Sequence, residues 1–83
     1  MKLIGIGFGN VVNADRIIAV VSPESNPVKR IVQTGKENGM LIDATQGRKT
    51  KSVIMMDSDH IVLSYLSAEQ IGSKISEEEN EKR

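Results

Sequence analysis

An α+β fold is predicted by this sequence, with a small, mainly antiparallel sheet, one central helix and a short C-terminal helix. Short runs rich in isoleucine and valine recur along the chain between glycine, asparagine and aspartate residues, as strands do between turns. Segment 28–35 instead spaces its apolar residues as they are spaced on one face of a helix. A chain of 83 residues forms one small domain with a marginal core, so we expect it to self-associate.

The first part of the chain predicts strands. Residues 2–8 form the first, in which Gly5 and Gly7 mark a bulge or the close approach of another segment. Gly9 and Asn10 form a turn, after which residues 11–12 continue the pairing. Residues 16–21 form a strand whose nearly continuous apolar content predicts burial on both faces.

The central helix is expected to run to about Asn38. Ser25 or Asn26 can cap its N-terminus, Pro27 suits the first helical position, and Gly39 provides a left-handed stop. The residues spaced to face the core are Val28, Ile31, Val32 and Gly35.

The second half predicts a β-hairpin and a short helix. Residues 40–42 and 52–56 are expected to pair, because Gln46 and Gly47 in their connection favour a tight turn. Residues 60–66 form the last strand. Ser67 and Gln70 have the spacing of a capping box, which predicts a helix through about Ile75. The domain is thus 1–75, and the charged segment 76–83 is expected to be a disordered tail.

The connection between residues 43 and 51 holds the strongest functional signal. Arg48, Lys49 and Lys51 lie at or just after the expected turn, where they project toward a polyanion such as the DNA backbone. Lys29 and Arg30 lie near the start of the central helix, whose free N–H groups and dipole also attract phosphate. The alternative is that these are ordinary polar residues of a turn and of a solvated helix face.

Charge is unevenly distributed along the chain. The totals are 11 basic and 11 acidic residues, for a formal net charge of zero. Residues 16–51 carry seven basic and three acidic side chains, whereas residues 52–83 carry three basic and seven acidic ones. If folding keeps these halves apart, the protein has one basic face suited to phosphates.

Other function classes are disfavoured. The chain has no cysteine, and no apolar run approaches the roughly 20 residues that cross a bilayer, so we expect a cytoplasmic protein without membrane contact. Asp57, Asp59 and His60 resemble part of a metal site, but they lie between two strands as turn residues do, with no second ligand cluster. We therefore expect no enzyme activity, cofactor, metal or small-molecule substrate. One Phe, one Tyr and no Trp provide no aromatic platform for single-stranded bases.

Six stretches of the sequence, taken together, resemble the RemA-like regulators of extracellular matrix genes in bacteria. They are residues 7–10, 16–23, 27–31, 41–45, 47–51 and 56–64, and the resemblance covers nearly all of 3–64. It implies a DNA-binding transcriptional activator of matrix and biofilm genes, acting in the cytoplasm as a closed ring of subunits. The family's arginines fall on Arg16 and Arg48. At Lys49 and Lys51 the charge is kept, but the planar bidentate fork of arginine is lost.

Double-stranded DNA and further copies of the chain are therefore the expected partners. A ring repeats a modest basic patch, and linked copies raise avidity by roughly 10²- to 10⁴-fold. Arg16 has an alternative role, since it can pair with Asp15 or Asp43 across a subunit contact. Two rival classes stay open: a structural self-assembly module without nucleic acid, whose exposed strand edges pair between subunits, and, ranked far below it, an enzyme built on Asp57, Asp59 and His60.

Overall fold

The computed structural model describes the backbone of residues 1–81 and the side chains of residues 1–77. It has the predicted α+β composition. The elements in chain order are β1 (Leu3–Gly7), β2 (Asn10–Asn13), a 3-10 turn (Ala14–Arg16), β3 (Ile17–Val21), α1 (Asn26–Glu37), β4 (Leu41–Asp43), β5 (Ser52–Met56), β6 (Ile61–Ser64) and α2 (Ala68–Glu81).

The strands form two sheets. β1 and β2 pair antiparallel as a two-stranded sheet, with a register shift between Gly5 and Gly7 where a bulge was predicted. The other sheet has four strands in the order β3-β5-β6-β4. β5 is antiparallel to both of its neighbours, whereas β4 is parallel to β6. The sheets are therefore mainly antiparallel, with β4 as the exception.

The predicted hairpin of residues 40–42 and 52–56 is wrong. β6 lies between β4 and β5, so the connection 44–51 crosses the end of β6 instead of joining two paired strands. Its two ends are fastened to that strand: the Ala44 N–H donates to the Leu63 carbonyl at 3.0 Å, and the Lys51 N–H donates to the Ser64 carbonyl at 2.9 Å. A tight turn is compatible with both a hairpin and this crossing connection, because the geometry of a turn does not determine whether the strands before and after it pair with each other.

The core has one cluster on each face of the four-stranded sheet. Because side chains alternate along a strand, neighbouring residues of β5 point to opposite faces. Ile54 packs with residues of β1 and α2, and Val53 packs with α1. The molecule is thus three-layered, with α1 on one face of the sheet and the β1-β2 sheet and α2 on the other. The buried residues of the larger cluster are Ile4, Ile6, Ala44, Ile54, Val62 and Ile71.

The expectation that residues 16–21 are buried on both faces is wrong. β3 is an outer strand of its sheet, and a register shift between Ile17 and Ala19 turns Ile18 outward. Ile18 is 68% exposed. Arg16 belongs to the 3-10 turn that precedes the strand.

The helix α1 begins and ends as predicted. The Ser25 Oγ accepts from the Val28 N–H at 3.3 Å, which confirms Ser25 as the N-cap, and Gly39 has a φ of +72°. Val28 and Gly35 are buried in the predicted core stripe. An added Cβ at Gly35 would lie 3.1 Å from the Ile61 Cγ1, so the helix approaches β6 closely there.

The capping box of α2 is confirmed in both directions. The Ser67 N–H donates to the Gln70 Oε1 at 2.8 Å, and the Gln70 N–H donates to the Ser67 Oγ at 3.1 Å. The helix does not end near Ile75 but continues to Glu81. Glutamate is a good helix former and residues 76–81 contain no Gly or Pro, so the helix has no local stop signal after Ile75. The last two residues of the expected tail, 82 and 83, lie outside the described residues.

Candidate nucleic-acid interface

The connection 44–51 is anchored by the residue that precedes it. The Asp43 Oδ1 accepts the Thr45 N–H at 2.9 Å and the Thr45 hydroxyl at 2.6 Å. The side-chain bond and then the backbone bond from Thr45 lower the pKa of Asp43, because both stabilise the ionised carboxylate. Ala44 and Thr45 are buried. The start of the connection is therefore held both by packing and by charge-assisted hydrogen bonds.

A tight turn follows at the predicted position. The Arg48 N–H donates to the Thr45 carbonyl at 2.9 Å, and Gln46 and Gly47 have φ values of +53° and +79°. Two central residues with positive φ are the signature of a type I′ turn, which only glycine adopts without cost. The predicted turn around Gln46 and Gly47 is thus confirmed, although the strands on either side of it do not pair.

Three cations project from this turn and the residues after it. We call Arg48, Lys49 and Lys51 the basic loop. All three side chains are exposed. Among the residues whose side chains are described, no carboxylate forms an ion pair with any of them. Their charges are therefore available to an anion from solution.

Two aromatic side chains lie beside the basic loop, which the sequence analysis missed. Phe8, at the turn between β1 and β2, is 44% exposed, and its ring centroid lies 4.7 Å from that of Tyr65. The Arg48 Cζ lies 6.0 Å from the Phe8 centroid. The two aromatic residues of the chain thus meet although they are far apart in the sequence, which the composition alone did not indicate. The available signal was Gly7, whose predicted close contact proves to be with Tyr65.

Lys29 extends the positive surface from α1. It lines a cavity of about 180 Å³ together with Thr50 of the connection. Lys49 and Lys51 line a neighbouring cavity of about 340 Å³. Glu24 and Glu69 line that cavity as well, so acidic and basic side chains are not segregated on this side.

Arg16 lies at the opposite end of β5. Residue Ile17 pairs with Met56, the last residue of β5, whereas Lys51 precedes its first residue. Arg16 lies opposite Asp57, six residues from Lys51, so at about 3.3 Å per residue the two backbone positions are roughly 20 Å apart along the strand. The Arg16 Nη1 donates to the Asp57 Oδ2 at 3.0 Å, so within the chain its partner is Asp57 and not Asp15 or Asp43.

Arg30 also lies away from the basic loop. It lines a third cavity, together with Asp59 of the β5–β6 turn. The six cations suggested by the sequence therefore fall into two groups: the basic loop with Lys29 at one end of β5, and Arg16 and Arg30 toward the other. Folding does not keep the basic and acidic halves of the sequence apart at Arg16, because Asp57 of the acidic half forms an ion pair with it.

Two further findings concern other kinds of site. Within residues 1–81, none of the helices has the length and apolar content to cross a membrane. Among the side chains of residues 1–77, no three His, Cys, Asp or Glu residues are grouped as metal ligands would be. His60 instead lies beside Ser58, with its Nδ1 2.7 Å from the Ser58 Oγ.

Comparison with known proteins identifies the family. A family model described as extracellular matrix regulatory protein A-like matches residues 3–75. A relative from Acetivibrio thermocellus is 56% identical over 98% of this chain and 87% of its own length. Relatives from Alkaliphilus oremlandii and Carboxydothermus hydrogenoformans are 54% and 53% identical over 99% and 98% of this chain, and over 88% and 93% of their own lengths. The names of all three describe a regulatory role and not an enzyme activity. The resemblance is thereby confirmed, and the chain belongs to the RemA-like family of regulatory proteins.

Proposed function

We propose that this protein is a DNA-binding transcriptional regulator that activates extracellular matrix and biofilm genes. In this proposal it works in the cytoplasm as a homo-oligomeric ring and holds double-stranded DNA through the basic loop of each subunit. The family's description as extracellular matrix regulatory supports the gene class. The exposed positive charges of the basic loop support DNA as the partner.

The observation that carries the proposal is a trio of exposed cations on a fixed backbone, without an ion-pair partner among the side chains of residues 1–77. Hydrogen bonds to β6 at both ends, the Asp43 carboxylate and the type I′ turn all hold the connection in place. A preformed loop loses little conformational freedom on binding, so more of the phosphate attraction is retained as affinity. Ion pairs to phosphate also carry no base preference, so sequence selectivity in this proposal comes partly from DNA shape.

Assembly is supported by apolar side chains on exposed strands. Ile18 on β3 and Ile42 on β4 are 68% and 49% exposed, and these are the two outer strands of the four-stranded sheet. Leu3 and Val11 are exposed on the smaller sheet. Burial of such residues between subunits would add to a core that is marginal at this chain length.

Assembly also determines how Arg16 and Arg30 take part. Within one subunit they lie at the opposite end of β5 from the basic loop. In a ring, one subunit's Arg16 joins the positive surface only where it comes beside the basic loop of a neighbour. We therefore assign the primary DNA contacts to the basic loop and Lys29, and a secondary contribution to Arg16 and Arg30.

Duplex binding by matched arginine and lysine variants tests the proposal. Arg48→Ala should weaken binding to a fluorescent duplex by about tenfold or more, because a hydrogen bond to a charged group contributes roughly 1.5–3 kcal/mol. Lys36→Ala removes an exposed cation from the last turn of α1 and should change affinity little. Fluorescence anisotropy measures both, and thermal melts confirm that both variants are folded. Equal affinities for Arg48→Ala and the wild type would contradict the proposal.

The apolar strands also favour a second candidate function, a self-assembly module without nucleic acid. The exposed Ile18 and Ile42 would then be its functional residues. Nonspecific duplex at low salt distinguishes the two candidates, since phosphate attraction is strongest there. Assembled protein that does not shift such a duplex would favour the assembly module.

A further inference from the structure

We propose that Phe8, supported by Tyr65, is a positioning residue that orients the Arg48 guanidinium for binding. This inference rests on the proposed DNA-binding function. Three separate segments supply the residues: the β1–β2 turn, the segment between β6 and α2, and the connection between β4 and β5.

The backbone conformation at Phe8 is energetically unfavourable, which indicates that its surroundings constrain it. Phe8 has a φ of +56° and lies between Gly7 and Gly9, whose φ values are +110° and +80°. A bulky residue with positive φ is an outlier that persists only where its surroundings impose it. The Asn10 Nδ2 donates to the Gly7 carbonyl at 3.0 Å and closes this turn. Phe8 therefore lies in a constrained turn, and its side chain is exposed there.

Tyr65 contacts the same turn from the β6 side. Its ring lies against the Gly7 backbone so closely that a Cβ at Gly7 would overlap it. The adjacent Ser64 ties the two segments together, because its Oγ donates to the Ile6 carbonyl at 2.9 Å and accepts from the Leu66 N–H at 3.1 Å. Tyr65 thus limits the position of the Phe8 ring, which lies 4.7 Å away at a tilt of 38°.

Arg48 lies over the Phe8 ring at a distance where a cation and an aromatic face attract. Its Cζ is 6.0 Å from the ring centroid, at the limit of the usual range for this interaction. The contrast with Arg16 is informative. The carboxylate of Asp57 holds Arg16 and offsets its charge, whereas an aromatic ring orients a guanidinium and leaves its charge and its N–H donors for a phosphate.

Ring-removing and ring-preserving variants of Phe8 test this role. Phe8→Leu keeps apolar volume and should weaken duplex binding by about two- to fivefold for each contacting subunit, the equivalent of an exposed cation–π interaction. Phe8→Tyr keeps the ring and should bind as the wild type does. Phe8→Asn removes the ring but tolerates positive φ, so it supplies a folded variant if Phe8→Leu is unstable.

Two readouts separate positioning from direct contact and from a failure of the proposed function. In the Arg48→Ala background, Phe8→Leu should have no further effect on affinity, whereas an equal effect in both backgrounds would overturn the inference.

NMR without DNA gives the second readout: the ring-current shift of the Arg48 side-chain protons should disappear in Phe8→Leu and Phe8→Asn and persist in Phe8→Tyr. Arg48 chemical shifts that are the same with and without the Phe8 ring would also overturn the inference. If Arg48→Ala alone binds normally, the proposed function fails, and the NMR result still decides whether Phe8 holds Arg48.

Discussion

At the scale of single residues, the acidic Asp43 anchors the start of the candidate interface. Its carboxylate accepts two hydrogen bonds from Thr45 at the start of the connection that carries the basic loop. The pKa of Asp43 is lowered as a result, so the carboxylate is ionised at neutral pH. A negatively charged residue thus fixes the backbone on which three cations are exposed.

Substitution of Asp43 should destabilise the protein in a pH-dependent way. Asp43→Ala removes both hydrogen bonds and should lower the free energy of unfolding by about 1 kcal/mol at pH 7. Asp43→Asn keeps an Oδ1 acceptor and should lower the free energy of unfolding less than Asp43→Ala does. Because the folded-state pKa is depressed, the contribution of the charge is complete above the unfolded pKa of about 3.9 and is lost as pH falls through the folded value. Urea unfolding at pH 7 and near pH 3 measures the difference.

The control for this pH dependence is the wild type compared with Asp43→Asn. The gap between them should be largest at neutral pH and should close in acid. A gap that stays constant from pH 7 to pH 3 would show that the ionised carboxylate contributes nothing to stability.

At the scale of elements, the outer strand β3 exposes an apolar side chain that we propose as part of a subunit contact. Its register shift turns Ile18 toward solvent, where the side chain is 68% exposed. An isoleucine this exposed contributes little burial to the stability of the isolated subunit. Bulges in outer strands usually prevent pairing with another chain. An apolar residue at the bulge instead favours burial by side-chain packing between subunits.

A charge at this position should separate the subunits without unfolding them. Ile18→Lys places a cation at an exposed site, so the stability of the subunit should change by no more than about 0.5 kcal/mol. In an assembly the same lysine would be desolvated without a partner, which is costly. Light scattering at micromolar concentration should therefore report a smaller mass than for the wild type. Thr34→Lys, on the exposed surface of α1, is the matched control, and an unchanged mass for Ile18→Lys would contradict this role for β3.

Local sequence signals predicted some elements well and strand pairing poorly. Ser25 and Gly39 delimited α1, and Ser67 with Gln70 gave the start of α2, because caps act within one helical turn. The turn at Gln46 and Gly47 is also determined by local residues. The strand that pairs with β4 is not, since nothing between residues 43 and 52 indicates that β6 lies between β4 and β5.

The same limit applies to the candidate site. Exposed cations after a tight turn were predictable, since a turn and its neighbours lie at the surface. The contact of Phe8 with Tyr65 and the pairing of Arg16 with Asp57 join residues far apart in the chain. Both depend on how the strands are ordered, so neither follows from spacing or composition.

At the scale of the whole molecule, three layers place the basic loop at one end of the sheet. The connection crosses the end of β6, beside the start of β5 and near Lys29 of α1, while Asp57 and Asp59 lie at the other end of β5. The formal net charge of zero therefore conceals a local cluster of exposed cations, with Glu24 and Glu69 lining the same cavity as Lys49 and Lys51. One such cluster is small, so strong binding requires that several copies act together.

The salt dependence of duplex binding by Lys49→Ala tests the central claim most directly, that the basic loop meets phosphates. For the wild type, log K should fall by about 0.9 per neutralised phosphate for each unit of log salt concentration. Lys49→Ala should bind more weakly and flatten that slope by about one unit for every subunit that touches DNA at this position. Lys36→Ala should keep the wild-type slope. Weaker binding by Lys49→Ala with an unchanged slope, or no duplex binding by the wild type at low salt, would contradict the claim.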